Sequence, residues 1–299
     1  MTGDVELAIA GGGIAGLTAG LTAARLGRRT LVLTGGVPGG LLLSIERIDG
    51  YPGFPDGVPG YELCPLAQEQ AMAAGAEFSM DEVVGLEPDG ERWRVATSSG
   101  EVLADAVVVA TGARLRELGV PGEERLRGRG VSHCASCDAP LLGGKRVAVV
   151  GGGDSACQEA LTLADSVGEL VLLQRGSELS AQAAYREPVQ VHRKISIHYG
   201  VEVEEILGDD RVAGVHTTRG ELEVDAVFVY VGLEPNDELL RAAGGRPGVF
   251  AAGIVRPGAT GRAAAAAGEG AAAALAAHHY LEEGSWKEAE LHARARVGT

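Results

Sequence analysis

The residues with the clearest chemical potential lie in one short stretch near the middle of the chain, Ser132-His133-Cys134-Ala135-Ser136-Cys137-Asp138. Two cysteines three positions apart can close a small disulfide ring, and an acid directly follows the second cysteine. Such a C-x-x-C pair has three interpretations: a redox-active disulfide, half of a zinc site, or two incidental thiols in the core.

The zinc interpretation requires two further ligands, usually a second C-x-x-C or a pair of histidines. The remaining cysteines, Cys64 and Cys157, stand alone, and His192 and His198 do not have zinc-finger spacing. We therefore expect no metal site. Incidental core thiols would be the better interpretation without further motifs, but two glycine-rich loops, one on each side of the cysteines, favour a redox disulfide.

The first glycine-rich loop, Gly11 to Gly16, has the pattern G-x-G-x-x-G. It follows an apolar strand predicted at Val5–Ala10 and precedes a helix predicted at Leu17–Leu26, which is the βαβ context that the motif needs. The glycines allow the turn, the approach of a pyrophosphate and close helix packing, while the N–H groups at the helix N-terminus face the phosphates. The second strand, Leu31–Leu33, ends at Thr34, where an acid is expected to hold a ribose.

The second loop, Gly151 to Ala156, has the related pattern G-x-G-x-x-A. It joins a buried strand at Arg146–Val150 to a helix at Cys157–Leu163, and the next strand ends at Gln174-Arg175. Two such units in one chain are far more specific than one. The sequence therefore predicts an α/β protein with two dinucleotide-binding domains.

Other segments fit parallel sheets of this kind. The run Asp105–Ala110 is continuously apolar and ends in Thr111-Gly112, as expected of a strand buried on both faces. Near the C-terminus, a strand at Val249–Gly253 precedes an alanine-rich helix at Ala263–Leu281. We assign no chemistry to His278 and His279, which close that helix.

Composition excludes several classes of protein. The 299 residues suffice for two domains, and the net charge of −15 argues against nucleic acid and anionic membrane surfaces as partners. Four cysteines are too few for a secreted disulfide scaffold, and no basic segment opens the chain. We expect a cytoplasmic protein, in which a C-x-x-C is more often catalytic than structural.

Taken together, these motifs resemble the low-molecular-weight thioredoxin reductases, FAD-linked pyridine-nucleotide disulfide oxidoreductases. The resemblance covers nearly the whole chain and rests on both glycine loops and on five further segments: Gly39-Gly40-Leu41, Pro52-Gly53-Phe54-Pro55, Ala110-Thr111-Gly112, Cys134-Ala135-Ser136-Cys137-Asp138 and Gly253 with the closing helix. It implies two Rossmann-like three-layer domains: a discontinuous FAD domain from residues 1–115 and 249–299, and a pyridine-nucleotide-type domain from 116–248 that carries the cysteines. It also implies a homodimer.

The resemblance further implies roles for individual residues. In the family pattern, Cys137 lies against the flavin, Cys134 attacks the partner disulfide, and Asp138 is the acid–base residue. His133 is unusual in its place; it could lower a cysteine pKa or move a proton, and a solvent-facing histidine is equally compatible with the sequence. The implied FAD-binding residues are Gly11, Gly13, Ile14, Ala15, Gly16, Thr34, Gly39, Gly40, Leu41, Thr111, Gly112, Gly253, Ile254, Arg262 and Ala263. The implied pyridine-nucleotide residues are Gly151, Gly153, Asp154, Ser155, Ala156 and Arg175.

Three departures from the family pattern affect these expectations. The basic set that clamps the NADPH 2′-phosphate is reduced to Arg175 within the stretch 174–180. The family's Gly-Asp pair that holds the FAD ribitol is Gly253-Ile254 here, and Ile254 cannot accept a hydrogen bond. The segment between Asn236 and Val249 is also short, so a strand or hairpin of the FAD domain could be missing. Thr34 is compatible with the family, whose members can carry threonine there.

The electron donor and the direction of the reaction stay open at this point. We expect poor use of NADPH, with NADH equal or better or with a ferredoxin-like carrier as donor. The expected acceptor is a thioredoxin-like protein or a small disulfide. Two alternatives are a flavin-dependent dithiol oxidase that uses oxygen and a non-catalytic flavin-binding redox sensor.

Overall fold

The computed structural model describes residues 4–283 of the chain. The helices are α1 (Ile14–Arg25), α2 (Gly60–Ala73), α3 (Ala135–Asp138), α4 (Asp154–Ala164), α5 (Ala183–Val191), α6 (Glu238–Ala243) and α7 (Ala263–Glu283). The strands are β1 (Val5–Ala10), β2 (Thr30–Leu33), β3 (Glu77–Ser79), β4 (Val83–Asp89), β5 (Arg92–Thr97), β6 (Gly100–Val109), β7 (Ala113–Leu115), β8 (Val131–Ser132), β9 (Arg146–Val150), β10 (Glu169–Gln174), β11 (Ile195–Tyr199), β12 (Val203–Leu207), β13 (Gly214–Thr217), β14 (Gly220–Glu223), β15 (Ala226–Val229), β16 (Leu233–Pro235) and β17 (Val249–Ala251).

The described chain divides into two compact units. One unit comprises the residues up to Arg114 together with those from Pro235 onward, and the other is Leu115–Glu234. The sequence predicts the second boundary at 248/249, whereas in the structure it lies at 234/235. The short helix α6 accounts for the difference, because its Leu239 and Ala243 are buried in a core cluster of the first unit.

The first unit is built on one sheet with the strand order β3-β2-β1-β6-β5-β4, and β17 also pairs with β6. Strands β3, β2, β1, β6 and β17 run parallel, while β4, β5 and β6 form an antiparallel meander. Residues 7–10 of β1 and 106–109 of β6 alternate between two apolar clusters, one on each face, as expected of a sheet covered on both sides. The segment between Asn236 and Val249 contains α6 and no strand.

The second unit has a fully parallel sheet with the strand order β11-β10-β9-β15-β8. A three-stranded antiparallel sheet, β12-β13-β14, belongs to the same unit. Apolar clusters again occupy both faces of the parallel sheet, with Leu170 and Leu172 on one face and Val171 and Leu173 on the other. The α/β prediction with two parallel-sheet domains is therefore confirmed.

A buried carboxylate fixes the loop that opens the second unit. Glu123 is only 3% exposed and accepts hydrogen bonds from the N–H groups of Leu118 (3.0 Å) and Gly119 (2.7 Å). We expect Glu123→Gln to lower the free energy of unfolding of this unit by about 1.5–3 kcal/mol, because one of two charge-assisted hydrogen bonds is lost. Glu124→Gln, at the exposed neighbouring position, is the matched control, and equal shifts of the thermal midpoint for both variants would contradict the prediction.

Candidate active site

The first glycine loop has the geometry that its sequence predicts. Gly11 has φ +116°, and a Cβ atom added to this glycine, as in a substitution by alanine, would overlap the carbonyl oxygen of Ala110. An added Cβ on Gly16 would overlap the carbonyl oxygen of Gly11, so helix α1 can pack closely only with glycine there. At Gly13, the N-cap of α1, nothing lies within 4 Å of an added Cβ. The loop therefore leaves space at the N-terminus of α1, where a pyrophosphate can approach backbone N–H groups.

A second glycine pair packs against this loop. The N–H of Gly39 donates to the carbonyl oxygen of Gly12 at 2.8 Å, and Gly39 itself has φ +133°. An added Cβ on Gly40 would lie 3.6 Å from Gly13 Cα, and Leu41, which is 38% exposed, follows directly. The structure thus places Gly39 and Gly40 beside Gly13.

The carboxyl end of β6 contributes the next group of expected residues. The hydroxyl of Thr111 donates to the carbonyl oxygen of Asn236 at 2.7 Å, and the amide Nδ2 of Asn236 donates back to the carbonyl oxygen of Thr111 at 3.0 Å. The side chain of Ile254 approaches Gly112, with its Cγ2 4.0 Å from an added Cβ there. Asn236 therefore positions Thr111 and Gly112, a role that the sequence prediction missed.

A carboxylate of α7 holds the turn that contains Ile254. Gly253, which has φ +79°, donates its N–H to Oε2 of Glu269 at 2.8 Å, and Oε1 of the same carboxylate lies 3.1 Å from Nη1 of Arg256. Arg262 and Ala263 lie at the start of α7. The sequence prediction also missed Glu269, because its partner is a backbone N–H.

Some of the predicted residues border a cavity of the first unit with a volume of about 570 Å³. Its lining includes Gly11 and Thr34 at the ends of β1 and β2, Thr111 at the end of β6, and Asn236. It also includes residues outside the predicted set: Ala10, Leu33, Gly35, Glu82, Val83, Val84, Glu238 and Leu239. A cavity beside an open glycine loop, at the carboxyl ends of parallel strands, fits the adenosine half of a dinucleotide such as FAD.

The second glycine loop repeats this geometry in the other unit. Gly151 has φ +136°, and an added Cβ would overlap the carbonyl oxygen of Tyr230. Gly153 is the N-cap of α4, and an added Cβ would meet only Ser180 Oγ, at 3.9 Å. Ser155 is exposed in the first turn of the helix, whereas Ala156 is buried. The loop can therefore take a pyrophosphate at the N-terminus of α4.

The segment after β10 folds back onto the second loop. The N–H of Ser180 donates to the carbonyl oxygen of Gly152 at 2.9 Å, and the N–H of Gln182 donates to Oδ1 of Asp154 at 2.7 Å. Asp154 therefore positions the loop. The amide of Gln174 donates to the carbonyl oxygen of Glu178 at 2.8 Å, while Arg175 is exposed.

Cys134 and Cys137 form a disulfide with their Cα atoms 5.4 Å apart, at the start and within the single turn α3. Of the two, Cys137 is exposed and Cys134 is half-buried. The hydroxyl of Ser136 lies 3.6 Å from Sγ of Cys134. Asp138 is half-buried at the end of the same turn. The predicted pairing of the two cysteines is thus present in the structure.

His133 is held by the backbone of the neighbouring strand. Its Nδ1 lies 2.8 Å from the carbonyl oxygen of Val229, at the end of β15. Because a carbonyl oxygen only accepts, Nδ1 carries the proton, and Nε2 is the basic nitrogen of the neutral ring. The ring is therefore oriented by the sheet.

Tyr230 is a further residue near the disulfide that the sequence prediction missed. Its hydroxyl oxygen is buried. Its side chain packs against the core cluster that contains Ala135 and Ala139. Burial raises the pKa of Tyr230, and the charges of Glu159 and Asp138 raise it further. A hydrogen bond from the backbone N–H of Ala135 lowers this pKa, but by less than burial raises it. The phenol is therefore neutral and retains its proton beside the turn that carries the disulfide.

The other two cysteines are free and buried. Burial raises the pKa of the Cys64 thiol to about 11, and burial together with the charge of Asp154 does the same for Cys157. Thiols of this kind are poor nucleophiles at neutral pH. Within the described part of the chain, no group of three or more His, Cys, Asp or Glu residues could hold a metal ion, and no helix is long and apolar enough to cross a membrane.

Comparisons with known proteins agree with this geometry. Residues 5–270 match the family described as pyridine nucleotide-disulphide oxidoreductase. The thioredoxin reductase of Treponema pallidum is 36% identical over 247 residues, which are 80% of this chain and 80% of the relative. The thioredoxin reductase of Mycolicibacterium smegmatis is 38% identical over 242 residues, which are 79% of this chain and 78% of the relative. The crystal structure of Lactococcus lactis thioredoxin reductase superposes with a TM-score of 0.89 at 32% identity, covering 94% of this chain and 100% of that one.

Proposed function

This chain belongs to the pyridine nucleotide-disulphide oxidoreductase family, and we propose that it passes two electrons from a donor, through FAD and the Cys134–Cys137 disulfide, to the disulfide of a thioredoxin-like protein. It is a thioredoxin reductase-like, FAD-dependent disulfide oxidoreductase. The observation that carries the proposal is the Cys134–Cys137 disulfide in a unit that also has a dinucleotide-type glycine loop.

Thiol–disulfide exchange is the step that the protein's own residues perform. A thiolate of the reduced pair attacks the substrate disulfide, one substrate sulfur leaves as a thiolate, and a mixed disulfide forms. The second cysteine then attacks the mixed disulfide, which releases the reduced substrate and restores the Cys134–Cys137 bond. Following the family pattern, we assign the first attack to Cys134, although Cys137 is the more exposed of the two.

Two side chains next to the cysteines can handle the protons of this exchange. Asp138 directly follows Cys137 in the turn and can protonate the departing thiolate. His133 precedes Cys134, and its Nδ1–H is bonded to Val229, so Nε2 can receive a proton from a neighbouring thiol. We propose Asp138 as the acid–base residue and His133 as the residue that favours the thiolate.

The first unit fits FAD, which supplies a two-electron carrier when bound. Gly11, Gly13 and Gly16 with the N-terminus of α1 would hold the pyrophosphate, and the cavity bordered by Thr34 and Thr111 would hold the adenosine. The second unit fits a pyridine nucleotide through Gly151, Gly153 and Ser155 at the N-terminus of α4. We also propose a cytoplasmic homodimer, on the basis of the family.

The proposed function is tested by reductive titration. We expect the purified protein to be yellow, to contain FAD and to take up four electrons per subunit, two in the flavin and two in the disulfide. Absorbance during anaerobic dithionite titration measures this number. A protein that stays colourless after incubation with FAD would disprove the proposal. Uptake of only two electrons would show that the disulfide does not exchange electrons with the flavin.

Ile254 is expected to weaken FAD binding. Its apolar side chain borders Gly112 and cannot accept a hydrogen bond from a ligand hydroxyl. We expect Ile254→Asp to tighten FAD binding about tenfold or more, because one charge-assisted hydrogen bond contributes about 1.5–3 kcal/mol. Ile254→Ala, which removes the same side chain without adding an acceptor, is the control. Release of FAD during dialysis measures the effect, and unchanged or faster release from Ile254→Asp would contradict this explanation.

Oxygen consumption distinguishes the dithiol oxidase alternative. Rapid uptake of oxygen in the presence of a small dithiol, without any pyridine nucleotide, would indicate an oxidase. Absence of turnover with every donor and acceptor would indicate a redox sensor. Retention of both cysteines together with Asp138 argues against the sensor.

A further inference from the structure

The end of β2 lacks the acid that usually binds a ribose in this type of fold. In dinucleotide-binding βαβ units, a carboxylate near this position accepts a hydrogen bond from the ribose 2′-hydroxyl. Here the position holds Thr34, whose hydroxyl lies 2.6 Å from the carbonyl oxygen of Gly36 and 3.1 Å from that of Ser79. Since both partners only accept, the hydroxyl proton of Thr34 is already used within the protein.

A carboxylate from a different segment lies at the same end of the sheet. Glu82 precedes β4, and its side chain runs along Gly35, with Cγ 3.8 Å from an added Cβ on that glycine. Gly35 follows Thr34 directly, so no side chain separates Glu82 from the end of β2. Glu82 also lines the cavity of about 570 Å³ that contains Gly11 and Thr34.

Glu82 is anchored through its backbone, and its carboxylate is available. Its N–H donates to Oγ of Ser98 at 3.1 Å, and its carbonyl oxygen accepts from the N–H of Ser98 at 2.9 Å. Among the residues that the structure describes, its carboxylate has no hydrogen bond or ion pair. The backbone of Glu82 is therefore fixed to the turn after β5, while its carboxylate, in a residue that lines the cavity, is unpaired among the described residues.

The other carboxylate of the cavity is already engaged. Glu238 Oε1 lies 3.3 Å from Nη1 of Arg114. Its own backbone N–H and the Arg114 guanidinium lower the pKa of Glu238. Glu238 thus has a cationic partner, which Glu82 lacks.

We infer that the carboxylate of Glu82 accepts a hydrogen bond from the 2′-hydroxyl of the adenosine ribose of FAD. Glu82 thereby replaces the acid that is missing at Thr34. The inference rests on the proposed function, in that FAD is the ligand of the first unit, and it adds a specificity residue that the glycine motif does not reveal. It concerns binding of the cofactor and not the exchange reaction.

The test measures binding of FAD, ADP and 2′-deoxy-ADP to the full-length apoprotein. Quenching of flavin fluorescence gives the dissociation constant of FAD, and competition against FAD gives those of the two diphosphates. Glu82→Gln preserves the shape of the side chain at an exposed position, so it should not disturb folding. Glu77→Gln, at an exposed acid of β3 outside the cavity lining, is the charge-matched control.

We expect Glu82→Gln to weaken FAD and ADP about tenfold, which corresponds to about 1.4 kcal/mol, and Glu77→Gln to leave both unchanged. The wild-type protein should prefer ADP over 2′-deoxy-ADP about tenfold, and Glu82→Gln should lose most of that preference. Equal FAD affinity of wild type and Glu82→Gln, or loss of the preference in Glu238→Gln instead, would overturn the inference. If the wild-type apoprotein bound no FAD, the proposed function itself would fail, which is a different outcome.

Discussion

Cys134→Ser and Cys137→Ser are each expected to abolish disulfide reduction while leaving reduction of the flavin intact. The two sulfurs form one disulfide, and exchange needs both the attacking and the resolving thiol. Loss of either residue should therefore be as severe as loss of both, as is usual for residues that act as a unit. Steady-state reduction of a thioredoxin-like protein measures the first effect, and anaerobic bleaching of the flavin measures the second.

The two free cysteines provide matched controls. Cys64→Ser and Cys157→Ser should retain activity, because both thiols are buried and burial raises the pKa of each to about 11. If Cys157→Ser were as inactive as Cys134→Ser, the assignment of the redox pair would be wrong. If both disulfide variants turned over normally, the disulfide would be structural.

The order of attack within the pair can be determined by trapping. With Cys134 as the attacking residue, Cys137→Ser should accumulate a mixed disulfide with a thioredoxin variant that lacks its resolving cysteine. The greater exposure of Cys137 makes the opposite order the relevant competitor. Accumulation of the adduct on Cys134→Ser alone would reverse our assignment and leave the overall reaction unchanged.

The electron donor is expected to show the second large effect, with NADPH used poorly and NADH used equally well or better. A recognition site for a 2′-phosphate at the end of β10 would need arginines, and the stretch from Gln174 to Ser180 contains only Arg175. The Gln174 side chain is bonded to the backbone of Glu178, whose carboxylate adds a negative charge to the same segment. NADH lacks the 2′-phosphate, so its binding is little affected by the missing arginines.

The size of this effect follows from the missing contacts. One bidentate Arg–phosphate interaction contributes about 1.5–3 kcal/mol. Loss of two of them weakens NADPH by roughly two to four powers of ten, at about 1.4 kcal/mol per tenfold. No acid lies at the end of β10 to hold the ribose of NADH either. The preference for NADH over NADPH therefore rests on the absence of repulsion between a 2′-phosphate and the carboxylate of Glu178.

Anaerobic mixing of the oxidised protein with each donor decides the question. Flavin bleaching is followed after addition of NADPH, NADH, reduced ferredoxin or a small dithiol. Rapid bleaching by micromolar NADPH would refute our interpretation of the stretch from Gln174 to Ser180. Bleaching by neither nucleotide would place the protein outside the group of enzymes that depend on pyridine nucleotides.

An acidic ferredoxin would need a basic docking surface on this acidic protein. The sequence suggests Arg125, Arg127 and Arg129 for this purpose. In the structure, Arg125 donates to the carbonyl oxygens of Gly208 and Asp209, and Arg127 pairs with Glu117. Arg125 keeps its charge, but the pairing of Arg127 with Glu117 leaves the patch with less positive charge than the sequence suggests, which weakens the case for an acidic carrier.

The parts of the fold that the sequence predicts well are those in which local pattern and tertiary role coincide. Strand β1, its glycine turn and α1 could be predicted because an apolar run, a fixed glycine spacing and a helix occur in immediate succession. The same holds for β9 and α4. In both loops the glycines have the steric roles that the motif implies, because added Cβ atoms would overlap backbone at Gly11, Gly16 and Gly151.

Other elements were missed because their stability comes from distant partners. Strand β4 contains Gly85 and Pro88 and has one buried residue, Leu86, and it exists because it pairs with β5. Helix α5 contains Pro188 and only two buried residues, Tyr185 and Val189. The predicted strand at Asp105–Ala110 was too short, since β6 is continuous from Gly100 to Val109.

Site residues that act through tertiary contacts could not be predicted from the sequence either. Glu82, Asn236 and Glu269 belong to no motif, and each makes its contribution to a strand end or turn far away in the chain. Their positions depend on sheet register and on α7, which local patterns do not specify. Motifs therefore located the glycine loops and the disulfide but not the side chains that complete the cavity.

The division of the first unit between both ends of the chain has a consequence for biosynthesis. Strand β17 pairs with β6, and Arg28 donates a hydrogen bond to His278, 250 positions later. The nascent chain must therefore emerge almost completely before the first unit can close, whereas Leu115–Glu234 is continuous and can fold earlier. At ribosomal rates of about 5–20 residues per second, the N-terminal strands wait for roughly 7–28 s between β6 and β17. During that interval the apolar edge of β6 lacks its partner strand, and the ribosome-bound chain is a natural client for a chaperone.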